Sequence, residues 1–147
     1  MTLCADASFL VSLYGGDINT PTARAWMAAT AEPILASTAL RFETENALRL
    51  ACFRKTITPK ELRTALGEIE NDIADGILIV RDIPAARHWA ECRRLSAVHT
   101  EASGFGAFDI LHVAGALLCK ADTFATFDGK QGTLAKAVGL ALVPAAP

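Results

Sequence analysis

The chain has 147 residues, 52% hydrophobic and 20% charged, which suits one globular domain spanning residues 1–147 and excludes a disordered segment. Fourteen Lys and Arg against sixteen Asp and Glu leave a net charge of −2, arguing against duplex binding through bulk charge while leaving room for a local basic patch on RNA. No apolar run approaches the ~20 residues of a membrane span, and the first residues lack the basic region and cleavage site of a signal peptide, so residence in the cytoplasm, away from any membrane, is expected.

Thr2 to Ala5 reads as a short buried strand that delivers Asp6 at its end. A first helix is expected from Ser8 to Tyr14, broken by Gly15-Gly16. Asn19 or Thr20 can cap a second, with Pro21 in its first turn, running to about Thr30. Pro33 to Ala36 is a second strand, followed by a long helix from about Thr38 to Lys55 on which Leu40, Ala47, Leu48, Ala51 and Cys52 fall near helical spacing. Thr58, Pro59 and Glu61 form a helix start with Thr58 as the cap, and Gly76 ends that helix before the strand 77–80. Helix 84–97 carries a basic edge of Arg87, Arg93 and Arg94. A loop at Gly104–Gly106 leads to helix 107–120, the strand Thr123–Thr126, a short helix around 130–138, and a last strand from Leu140 to Val143. Cys4, Cys52, Cys92 and Cys119 are scattered through apolar stretches with no CxxC pattern, and are expected to be buried free thiols.

Apolar strands alternating with helices indicate an α/β fold with a mainly parallel sheet covered on both faces. Sites in such sheets form beyond the carboxyl ends of the strands, at a topological switch point. Asp6 and Asp128 each follow a strand and so face one edge, while Glu43 lies on the long helix and Asp109 is a charge in an otherwise apolar segment. Clustered acids stay ionised together only around cations, and hard oxygen ligands suit magnesium or manganese. The expected chemistry is metal-assisted attack of water on a phosphodiester. Asp6 and Asp109 are the candidate direct ligands, with Glu43 and Asp128 acting through water or on a second ion. Ser8 is expected to cap the following helix and orient Asp6, and Thr126 to do likewise from the strand. His112, one helical turn beyond Asp109, is expected to touch it in a supporting role. Rival motifs are absent: there is no G-x-G-x-x-G after the first strand and no G-x-S-x-G elbow, and Ser8 stands where a dehalogenase-like phosphatase needs a second Asp.

Ordered along the chain are Asp6-Ala7-Ser8, Glu43-Thr44-Glu45-Asn46, Asp109-Ile110-Leu111-His112, Thr126-Phe127-Asp128-Gly129-Lys130-Gln131, and a tail from Leu134 through Gly139-Leu140. This set resembles the PIN-domain ribonucleases, and among them the VapC-type toxins of bacterial toxin–antitoxin modules. The resemblance implies a three-layer α/β/α fold and a magnesium- or manganese-dependent endoribonuclease using Asp6, Glu43, Asp109 and Asp128, with Asn46 beside them. It also implies a homodimer and a small antitoxin whose tail blocks the acidic pocket. The chain departs from many similar sequences at Gly106, where an Arg is usual, and at Gly129-Lys130, where Arg-Arg is usual. Candidate RNA contacts are Arg49, Arg54, Lys55 and Lys130. Phe9, Leu13, Tyr14 and Trp26 on the first two helices are candidates for a partner groove, or else for the core. Two other functions fit the same residues: a silent PIN-like module that binds RNA or protein, and a ribosomal-RNA processing nuclease.

Overall fold

The computed structural model describes residues 1–144. Five short strands, β1 (Leu3–Ala5), β2 (Ile34–Ser37), β3 (Leu78–Arg81), β4 (Thr123–Ala125) and β5 (Ala141–Val143), form one sheet in the order β3-β2-β1-β4-β5, with every pairing parallel. Parallel strands need crossovers, and the helices supply them: α1 (Ala7–Gly15), α2 (Thr20–Ala29), α3 (Thr38–Phe53), α4 (Pro59–Ala74), α5 (Ala85–Leu95), α6 (Glu101–Ser103), α7 (Ala107–Leu118) and α8 (Gly129–Ala137). The sheet grows from β1 outward to β2 and β3, then returns to the other side of β1 for β4 and β5. The order therefore reverses between β1 and β4, and an open groove lined by Ser8, Phe127 and Asp128 lies beyond their carboxyl ends.

Alternation along β1 divides the core. Leu3 and Ala5 turn to the face covered by α1, α2, α3 and α4, where they meet Phe9, Leu10, Leu40, Leu48 and Ile69. Cys4 turns to the opposite face, against Leu95, Ile110, Val113 and Leu134 of α5, α7 and α8. These are the three layers expected, and each strand is too short and too buried to alternate polar and apolar residues.

Most helix boundaries follow local chemistry. Thr58 and Glu61 cap each other's backbone at the start of α4, with Pro59 in the first turn. Gly16, at φ 78°, ends α1 in the left-handed conformation that its neighbours avoid. The helix expected over 84–97 breaks its regular pattern at Leu95 and continues as a wide turn over Ser96–Thr100 into α6. Phe9, Leu13 and Tyr14 are core residues and Trp26 packs edge-on against Phe9, so the partner-groove alternative for this set gives way to burial. Apolar side chains left in water include Ile18 between α1 and α2, Phe42, Leu50 and Phe53 on α3, Trp89 on α5 and Phe108 on α7. Among the described residues no helix is long and apolar enough to cross a membrane.

Candidate active site

Asp6 leaves β1 in an extended conformation and caps α1, its Oδ1 accepting from the Phe9 N–H at 3.0 Å. Capping needs a short acceptor one position before the helix, so Asp6 takes that role and Ser8, already inside the first turn, does not. The Ser8 hydroxyl instead donates to Asp6 Oδ1 at 2.6 Å and accepts from the Phe127 N–H at 2.9 Å. Ser8 therefore orients Asp6, as expected, but ties it to the segment after β4 rather than capping α1. Thr126 completes the arrangement: its Oγ1 donates to Asp6 Oδ2 and accepts from the Asp128 N–H at 2.9 Å. Phe127 between them stacks on Phe9 with ring centroids 5.6 Å apart, fixing the loop that holds both residues.

Asp6 is fully buried. Burial pushes its carboxyl above the ordinary range, against the pull of the Ser8, Thr126 and Phe9 hydrogen bonds and of positive charge at His112. Three donors occupy its two oxygens, leaving acceptor capacity on Oδ2 for one further group.

Asp128 is exposed and caps α8, its Oδ1 accepting from the N–H groups of Lys130 at 2.8 Å and Gln131 at 2.9 Å. Gln131 then reaches back with its side chain, Nε2 donating to Asp109 Oδ1 at 3.1 Å. Asp109 Oδ2 accepts from the Gly106 N–H at 3.1 Å, closing the first turn of α7. Three of the four acids thus lie on one hydrogen-bonded path, Asp6–Thr126–Asp128–Gln131–Asp109.

Glu43 joins from α3. His112 pairs through Nε2 with Glu43 Oε2, not with Asp109 as helical spacing suggested. Asp109 is engaged with its own helix start and with Gln131, and α3 supplies His112 with a carboxylate instead. Asn46, one turn further along α3, is exposed.

Gln131 carries the largest role that sequence reasoning left unassigned; its position three residues after a capping Asp was the available signal. Asp17 is a second such residue. It holds the Ser12 hydroxyl at 2.8 Å and lines an open groove with Ser8, Asn19, Ala47, Phe127 and Asp128. Of the basic candidates, Lys130 stands exposed beside Asp128, with its Nζ reaching toward Gly104. Arg49 is engaged by Glu45 at 3.5 Å. Arg54 and Lys55 follow the last turn of α3, about 16 Å along the helix axis from Glu43.

The donors are carboxylate oxygens, the kind a hard divalent cation takes, and the Asp6 carboxylate is held at a burial cost that a cation offsets. Among the described residues no three acids, histidines or cysteines form a ready-made cage; the side chains hold protein donors instead.

A family model described as PIN domain matches residues 3–137. A search of curated proteins finds no match. Among solved structures, the chain is similar to VapC20 of Mycobacterium tuberculosis, titled a sarcin–ricin loop cleaving toxin, with a TM-score of 0.70 and 18% identity over 90% of this chain and 94% of that one. It is also similar to FitAcB of Neisseria gonorrhoeae, with a TM-score of 0.61 and 17% identity over 96% of each chain. At these identities the likeness is one of fold.

Proposed function

The chain belongs to the PIN-domain family, and on that premise we propose that it is a magnesium- or manganese-dependent endoribonuclease, the toxin of a bacterial toxin–antitoxin pair. The observation that carries this reading is the hydrogen-bonded path from Asp6 through Thr126, Asp128 and Gln131 to Asp109, beyond the carboxyl ends of β1 and β4.

Asp6 and Asp109 hold the ion, and Glu43 and Asp128 complete its surroundings. When bound, such an ion supplies positive charge to a phosphodiester and makes water a better nucleophile near neutral pH. The chain's own residues keep the carboxylates aimed. Ser8 and Thr126 fix the Asp6 rotamer by donating to both of its oxygens, which also favours the ionised form that a cation needs. Gln131 steadies Asp109 through one of its oxygens, and His112 steadies Glu43 through one of its own. Lys130 stands at the exposed start of α8, where its ammonium meets an RNA phosphate as a point charge.

The exposed stripe of Phe42, Leu50 and Phe53 along α3 suits a protein contact, with an antitoxin or a second copy of the chain. The likeness to VapC20, a sarcin–ricin loop cleaving toxin, supports the same reading.

The test is cleavage of single-stranded and structured RNA by the purified chain with magnesium or manganese. Loss of cleavage with chelator, and in Asp6→Asn and Asp109→Asn, is the expected result. Undiminished cleavage in both variants removes the mechanism. Calorimetric titration with manganese separates a nuclease from a silent binding module, which takes up no metal through these carboxylates.

A further inference from the structure

The fold brings two of the four cysteines together from opposite ends of the chain. Cys4 is the middle residue of β1 and turns to the α7 side of the sheet. Cys119 immediately follows α7, seven positions beyond His112 and three beyond Ala116, so the three share the helix face turned toward the strands. The small residues Gly115 and Ala116 keep that face low. Both cysteines line one small cavity with Ser37 and His112.

Their surroundings differ in the way a reactive pair requires. Cys4 is buried at 3% exposure, with no path for a solute. Cys119 is half-buried, and it also lines an open cleft shared with Arg81, Asp82 and Arg87. A dissolved oxidant can therefore meet one sulfur and not the other. The Cys4 thiol and the Arg81 charge pull the Cys119 thiol below its usual range. Cys92, by contrast, is pushed up by burial and by Glu91.

We propose that Cys119 and Cys4 form a redox-modifiable pair, in which a hydroperoxide oxidises the cleft-facing Cys119 and Cys4 then closes a disulfide between α7 and β1. In the first step the Cys119 sulfur gives an electron pair to the outer peroxide oxygen. The O–O bond breaks, the departing oxyanion takes a proton, and Cys119 becomes a sulfenic acid, oxidised by two electrons. In the second step the Cys4 sulfur attacks the Cys119 sulfur, the S–O bond breaks, and the leaving hydroxide departs as water with the Cys4 proton. Two thiols and one hydroperoxide thus give a disulfide, an alcohol (or water) and water. The link joins the strand that ends at Asp6 to the helix that carries Asp109 and His112. It requires nothing of the nuclease reading and stands or falls separately from it.

The experiment treats the full chain with hydrogen peroxide as the probe and maps the products by peptide mass spectrometry. Free thiols are expected to fall from the four of the sequence to two, with a single cross-linked peptide pair containing Cys4 and Cys119, reversed by dithiothreitol. Before oxidation, iodoacetamide should label Cys119 about tenfold faster than Cys92 at neutral pH. In Cys4→Ser the reaction should stop at a sulfenic acid on Cys119 that dimedone traps. Should that variant fail to fold, judged by circular dichroism, the map of the unaltered chain decides alone. Oxidation confined to Cys52 and Cys92, or Cys119 over-oxidised with no cross-link to Cys4, overturns the proposal.

Discussion

The Asp6 carboxylate and the Thr126 hydroxyl are hydrogen-bonded to each other across 120 positions of sequence. That bond spans the junction of β1 and β4, and it is the shortest route by which the first acid is tied to the last. Replacing Thr126 with Val keeps the shape and removes the donor. Cleavage by Thr126→Val is expected to fall about 10–100-fold with the fold intact, the range usual for a group that orients a metal ligand. Wild-type rates in a correctly folded variant would show that Thr126 does not position Asp6.

Asp6 itself links activity to stability with a definite sign. Its carboxyl is raised in the folded chain, chiefly by burial, so the native state favours the protonated form more than the unfolded chain does. The stability this gives is complete below the unfolded value of about 3.9 and is lost as pH rises through the raised folded value. Asp6→Asn removes the titration while keeping a good capping side chain. In chelator, the variant should therefore gain in melting temperature relative to the wild type as pH rises from about 4, then hold a constant lead, while cleavage drops about 100-fold or more. Calorimetric scans across pH check this, and a constant or shrinking difference would contradict it.

Gln131 touches two acids at once, one through its backbone N–H and one through its side chain. Gln131→Leu preserves the cap on α8, because Asp128 receives the backbone group, and removes only the donor to Asp109. The expected cost is about 1 kcal/mol of stability, with about 10–100-fold in cleavage. Asn at this position is too short to restore the contact, so Gln131→Asn should behave as Leu does. Parallel melts and cleavage rates distinguish this from general loosening, which would lower both in proportion.

The layers of this fold were legible because its strands are mostly apolar and helix starts such as Thr58-Pro59 are recognisable. Asp6, Asp128 and Asp109 stood out for a related reason, as two strand ends and one lone charge in an apolar segment, whereas Glu43, on a helix beside Glu45, had no such mark. The partners of the acids were not legible. Helical spacing put His112 against Asp109, yet both were already claimed, Asp109 by Gly106 and Gln131, His112 by a glutamate 69 positions away. Ser8 was the expected cap of α1, and only the backbone shows that Asp6 is the residue outside the first turn. The pairing of Cys4 with Cys119 had no local signature at all, since it depends on the register of α7 over β1.

His112 and Glu43 form a couple whose strength is measurable. His112 is 1% exposed at the side chain and Glu43 33%, and the other ring nitrogen of His112 has no partner among the described residues. Removing the carboxylate leaves a buried imidazole without a hydrogen bond, at a cost of about 1–3 kcal/mol. A cycle of Glu43→Leu, His112→Leu and the double variant should return a coupling of about 1–3 kcal/mol. Additive effects would mean the two side chains do not depend on each other.

The basic side chains offer the sharpest division between contact and bystander. Lys130 follows Asp128 by two residues, at the exposed start of α8. Arg54 and Lys55 lie at the far end of α3, about 16 Å from Glu43 along its axis. A phosphate held near the acids is within reach of the first and not of the others, and each exposed charge acts over only about 8 Å at physiological salt. Lys130→Ala should therefore weaken RNA binding and flatten the dependence of log affinity on log salt by about 0.7 for single-stranded RNA. Arg54→Ala and Lys55→Ala should change neither by a comparable amount for a short oligonucleotide. For a longer RNA that tracks along α3 their effect should return, because the strand then extends past the acids. Fluorescence anisotropy over a salt series, with a short and a long RNA, reads both outcomes. Equal slopes for all three variants on the short RNA would move the substrate path away from α8 and onto α3.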